Sequence, residues 1–188
     1  QNINTKAPSV TDMLKKLYDK GLVTYKKYQG ATLTELGRKT ALNIIRKHRL
    51  WEVFLVEKLN FNWSEVHEVA EQLEHIKSKK LTNELDKFLG YPTKDPHGDP
   101  IPNITGFIKY TKKLLLSDLQ IGDKGTFVGV KDSSSAFLKY LDKRKIALGS
   151  IIEILHIEDF DDSLHIGMAE INLTISMKSA NNIYLTKI

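Results

Sequence analysis

The chain has 188 residues, 41% of them hydrophobic and 27% charged, which is enough apolar surface for a packed core and too much for a disordered chain. It contains no cysteine, and this excludes a disulfide scaffold, a thiolate zinc or iron–sulfur site and a cysteine nucleophile. The net charge of +5 is uneven: residues 1–50 hold eleven Lys and Arg against three acids, or +8, on a remainder of −3.

A basic end on a slightly acidic body points to a polyanionic partner, most often nucleic acid, although a solvated surface without a partner fits the charge equally well. Residues 8–20 read as a helix. Pro8 and Ser9 open it, Val10, Met13, Leu14 and Leu17 form its apolar face, and Gly21 ends it. Leu22–Tyr28 and Ala31–Thr34 read as two strands turning at Gln29-Gly30. A helix followed by a Lys-rich hairpin is the tail of a winged helix-turn-helix, whose second helix lies in the major groove. This puts Pro8, Ser9, Thr11 and Asp12 at base edges, Lys15 and Lys16 nearer phosphates, and Lys26, Lys27 and Tyr28 in the wing.

Thr34 caps a long helix that runs to about Leu59. Its apolar stripe is expected to be Ala41, Ile44, Ile45, Trp51, Leu55 and Leu59. His48 and Glu52 fall in the middle of that stripe, one turn apart. Buried ionisable groups are costly unless paired or bound to a metal. A second helix is expected from Ser64 to about Ser78, and it repeats the anomaly. His67, Glu71, Glu74 and His75 fill an arc of roughly 100° beside the apolar face Val66, Val69, Ala70, Leu73 and Ile76. One such His–Glu pair is often only an ion pair. Six donors on consecutive helices favour a divalent cation, and the imidazole–carboxylate set suits Mn(II) or Fe(II).

A third helix is expected over Leu81–Leu89. Residues 91–103 hold four of the five prolines and read as a boundary or an extended arm, with His97 as a loop residue. Thr126–Val130, Ser150–Ile157, Leu164–Met168, Leu173–Ser176 and Ile183–Thr186 read as short strands, and Ala136–Lys145 as a helix; together they suggest a small barrel. The zinc-protease His-Glu-x-x-His, Gly-rich phosphate loops and Gly-x-Ser-x-Gly elbows are absent. The only Glu-x-x-His is Glu153–His156, in an expected strand rather than in a helix bundle.

Five runs, Ala7–Leu17, Tyr25–Thr34, Arg46–Glu52, Val66–His75 and Pro96–Pro102, together resemble the diphtheria-toxin-repressor family of metal-dependent transcriptional repressors, and within it the manganese-type regulators. The resemblance covers nearly the whole chain. It implies a mainly α chain with a small β domain: a winged helix-turn-helix lacking its first part (1–37), a helical metal-binding and dimerisation domain (38–103), a linker (104–118) and an SH3-like barrel (119–188). By position, Glu71, Glu74 and His75 match the family's regulatory metal site, and His48, Glu52 and His67 its ancillary site. In some manganese-type members the His48 position serves the main site instead. Asp132 is the candidate ligand from the barrel. The family carries two helices ahead of the position of Ala7, the first of which supplies ligands, and they are expected to precede Gln1. The resemblance further implies a homodimer on a double-stranded DNA operator, a cytoplasmic location, Mn(II) or Fe(II) as cofactor, control of metal uptake, and no enzymatic or membrane role. A metalloenzyme using the same six donors, or an SH3-like interaction module with a structural metal, are the alternatives.

Overall fold

The computed structural model describes residues 7–26, 30–169 and 171–188. At the basic end, α1 (Ala7–Asp19) leads into the antiparallel pair β1 (Val23–Lys26) and β2 (Gly30–Leu33), in register from Val23↔Leu33 to Lys26↔Gly30. Thr34 joins this hairpin to α2 (Glu35–Leu59). Its hydroxyl donates to the Gly21 carbonyl at 2.7 Å and accepts from the Gly37 N–H at 3.0 Å. Gly37 lies so close to the Leu22 carbonyl that a Cβ would stand 1.9 Å from its oxygen. Only glycine allows that approach, so hairpin and helix meet without slack.

The α2 helix ends at Asn60, in the left-handed region at φ 57°, with the Phe61 N–H closing onto the Leu55 carbonyl at 3.0 Å. α3 (Val66–Leu73) and α4 (Lys79–Phe88) then pack on two faces of α2. Leu50 and Val53 meet Leu85 of α4 and Ile101, while Leu55 meets Val66 and Ala70 of α3. Arg46 is buried through its 2.7 Å ion pair with Asp86. The covered faces are therefore not the expected stripe. Ile44, Ile45 and Leu59 are exposed, and of the stripe only Leu55 is fully buried. The second helix is also shorter than expected, ending at Leu73 rather than near Ser78. The Lys47 ammonium donates to the carbonyls of Glu74 and Ile76, the chain turns there, and Ser78 becomes the cap of α4.

Residues 91–103 form a strap between the helices and a C-terminal sheet. The Asp95 carboxylate accepts from the N–H groups of His97 (2.8 Å) and Asp99 (3.0 Å), which folds the strap back on itself. The sheet comprises β3 (Leu114–Leu115), β4 (Lys124–Val130), β5 (Ile151–Ile157), β6 (Leu164–Met168), β7 (Ile171–Ile175) and β8 (Ile183–Lys187), all antiparallel, in the order β3-β8-β4-β5-β6-β7. Five strands were expected; the two-residue β3 is too short to show a period. With α5 (Ser135–Lys143) and α6 (Met177–Ala180), the sheet encloses Phe127, Leu138, Ile152, Ile166 and Ile183. No described helix is long and apolar enough to cross a membrane.

Candidate metal centre

Glu52 projects from the C-terminal half of α2 and is only 2% exposed. Its two oxygens face two different groups of donors. Oε1 faces an outer cluster, in which His48 Nε2 approaches it at 3.1 Å and His67 Nδ1 at 3.5 Å. The ligand atoms of His48, Glu52 and His67 all lie within 4.8 Å of one another. On the other edge of its ring, His48 Nδ1 donates to Glu74 Oε2 at 2.8 Å. Burial pulls the His48 pKa down, but the carboxylates of Glu52 and Glu74 outweigh it and raise it above the ordinary value.

Oε2 of Glu52 faces an inner triad. His97 Nδ1 stands 3.8 Å from it and 3.9 Å from Asp95 Oδ1. All three residues are buried, and their ligand atoms also converge within 4.8 Å. His97, expected to be a plain loop residue, is thus a buried donor. It and Asp95 are the candidate donors that the sequence pattern does not mark. Arg49 braces the triad from α2: its guanidinium reaches Asp95 at 3.3 Å and Asp99 at 3.3 Å and donates to the Pro100 carbonyl.

The electrostatics of the triad are unbalanced. Burial, and then the charge of Glu52, push the Asp95 carboxyl up from 3.8 to about 6. Burial would raise Glu52 too, but the imidazoles of His48 and His97 beside it hold it down at about 2. His97 is raised, since Glu52 and Asp95 outweigh its burial. Two buried carboxylates within reach of an imidazole fit a hard divalent cation, which would stabilise both anions together. Glu52, Asp95 and His97 are the residues that would hold it.

The remaining expected donors are placed differently. Glu71, on α3, and His75, just after it, are exposed and join neither cluster among the described residues. Asp132 joins neither as well; its carboxylate accepts from the Ser134 N–H at 2.8 Å, in the turn before α5. At the basic end, Pro8 and Ser9 sit in the first turn of α1, and Thr11, Asp12, Lys15 and Lys16 are exposed on it. Lys16 is tied to Asp12 at 2.7 Å. Lys26 is exposed on β1, while Lys27 and Tyr28 lie outside the described residues.

Family models match along the chain: "Iron dependent repressor, N-terminal DNA binding domain" over residues 1–31, "Iron dependent repressor, metal binding and dimerisation domain" over 34–103, and "FeoA domain" over 114–187. A solved manganese-dependent transcriptional repressor in complex with manganese superposes with a TM-score of 0.88 at 33% identity, covering 99% of this chain and 87% of that one. The iron-dependent repressor IdeR of Mycobacterium tuberculosis is 35% identical over 104 residues, 55% of this chain and 45% of that protein. A probable metal transport system membrane protein of Chlamydia trachomatis is 43% identical over 89 residues, 47% of this chain and 20% of that protein. The matched segment thus spans less than half of either curated relative. Domain models in this order, with a fold and sequence identity to match, place the chain in the diphtheria-toxin-repressor family.

Proposed function

We propose that this chain is a transcriptional repressor that binds Mn(II) or Fe(II) and, as a homodimer on double-stranded DNA in the cytoplasm, shuts down metal-uptake genes. It acts as a sensor rather than a catalyst. The observation that carries this reading is that α2 does two jobs on one unbroken helix. Its first turn is pinned to the basic hairpin through Thr34 and Gly37, and its second half supplies His48 and Glu52 to donors from α3 and the strap. A bound divalent cation supplies the positive charge that lets these anions and imidazoles converge, and it shifts a conformational equilibrium only by its differential affinity for the two states.

Glu52, Asp95 and His97 would hold one cation. His48 and His67, with the other oxygen of Glu52, would hold a second, and Glu74 would orient the His48 ring from its far edge. Glu71 and His75 join neither cluster among the described residues; with Glu74 they are the set that the family resemblance makes regulatory. Asp132 lies two residues after Val130, whose N–H donates to the His97 carbonyl at 3.0 Å, and it is the candidate from the barrel. The organisation we assign is a DNA-binding unit over 1–37, a metal-binding and dimerisation unit over 38–103, a linker over 104–118 and an SH3-like unit over 119–188. Pro8, Ser9, Thr11 and Asp12 face base edges, while Lys15, Lys16, Lys26, Lys27 and Tyr28 serve the phosphate backbone and the wing. Retention of operator DNA by the full protein, measured with Mn(II), with Fe(II) and with chelator, tests the reading. Metal-dependent retention that Glu74→Ala abolishes and Lys79→Ala keeps is expected. Retention unchanged by chelator would overturn it.

A further inference from the structure

Trp63, in the turn between α2 and α3, touches both halves of the molecule. Its main-chain carbonyl accepts from His97 Nε2 at 2.8 Å. Its ring stacks on the His97 imidazole, with centroids 6.2 Å apart and 13° between planes. Its indole N–H donates to Asp142 Oδ1 of α5 at 2.8 Å, and the ring packs against the core of the C-terminal sheet. From the sheet side, Val130 donates to the His97 carbonyl at 3.0 Å, and Gly98 lies where a Cβ would stand 2.0 Å from the Val128 carbonyl oxygen. The Trp63–Asp142, Val130–His97 and Gly98–Val128 contacts exist only while the sheet is docked on the helices, so docking fixes both the tryptophan and the strap that hold the imidazole.

The chemistry of these contacts selects one form of the ring. A carbonyl can only accept, so Nε2 carries a proton, and in the neutral ring Nδ1 is left with a lone pair. Nδ1 is the atom that faces Glu52 and Asp95. A ligand imidazole whose other nitrogen is fixed by a carbonyl is oriented and made more basic for a cation. We propose that Trp63 is a positioning residue that couples docking of the C-terminal sheet to occupancy of the Glu52–Asp95–His97 triad by a divalent cation. This rests on the reading above that the triad takes such a cation. Linkage makes the coupling reciprocal. The docked sheet presents His97 for binding, and a held His97 tightens the docking by the same factor.

Trypsin cleavage at Lys109 and Lys112, in the segment between strap and sheet, reports docking, and calorimetric titration with MnCl2 reports binding. Mn(II) is expected to slow cleavage in the unaltered protein. Trp63→Phe keeps the carbonyl and the stacking but loses the bond to Asp142. Asp142→Ala loses the same bond from the other side, at a residue that touches no donor. Each is expected to weaken Mn(II) binding and to raise the Mn(II) concentration for half-protection by roughly three- to tenfold. Trp63→Ala, which also removes the stack, is expected to exceed that. If Trp63→Phe and Asp142→Ala, folded by circular dichroism, match the unaltered protein in both readouts, the coupling is wrong. If the unaltered protein takes up no Mn(II), the metal-site reading fails first and the coupling with it.

Discussion

Replacing Asp95 with Asn separates what the inner triad costs from what it does. In the metal-free protein the Asp95 carboxyl sits at about 6 rather than 3.8. At about 1.4 kcal/mol per unit, the ionised group destabilises the folded state by about 3 kcal/mol above neutral pH. Asparagine keeps an oxygen for the N–H groups of His97 and Asp99 and removes the charge that opposes Glu52. It forfeits the ion pair with Arg49, whose side chain is 22% exposed, and this offsets part of the gain. The net expectation for the metal-free variant is a gain of about 1–3 kcal/mol, read as a rise in melting temperature of roughly 3–10 °C in the presence of chelator at about pH 7.5. A Mn(II) titration of the same variant should lose the inner equivalent and keep the outer one. A melting temperature that is unchanged or lowered, or full Mn(II) stoichiometry in the variant, would refute the argument that the triad is a strained anion pair awaiting a cation.

The sign of the pH dependence follows from the same groups. His48 and His97 have raised folded values, so their stabilisation is complete below the ordinary 6.5 and fades as pH rises through those values; Asp95, raised to about 6, adds to the same loss. Glu52, held at about 2, acts oppositely and only in acid. The metal-free melting temperature should therefore fall from about pH 5 to about pH 8, and saturating Mn(II) should flatten that fall in a thermal-shift series. Gly98→Ala meets both a φ of +83° and the Val128 carbonyl, so a loss of at least about 2 kcal/mol is expected from denaturant midpoints, with faster trypsin cleavage between strap and sheet. Lys15→Ala should weaken binding to all DNA sequences alike and lower the salt slope by about 1, whereas Lys16→Ala, whose ammonium is shared with Asp12, should do less.

His48 and Glu52 were legible in the sequence because a helix imposes a period, and a charge inside an apolar period stands out. Which parts of the period are covered was not legible, since that depends on where α3 and α4 land: Ile44 and Ile45 fit the stripe and remain exposed. Asp95 and His97 escaped for the opposite reason. A segment with four prolines has no period, so nothing in it marks a buried residue, and their burial comes from the Gly98 contact with β4 and from Trp63. The early end of α3 was hidden because it is set by Lys47, 27 residues from Glu74 along the chain.

The joint at Thr34 and Gly37 makes α2 a lever with a welded handle. His48 lies 14 residues from Thr34, which at 1.5 Å per residue is about 21 Å of helix. With no slack at the joint, a tilt of about 5° imposed at His48 and Glu52 moves the hairpin by about 2 Å, several times the roughly 0.5 Å tolerance of a positioned polar contact. A displacement too small to disturb the packing around Leu50 and Leu55 is thus amplified at the DNA-facing end into one large enough to miss a row of phosphates.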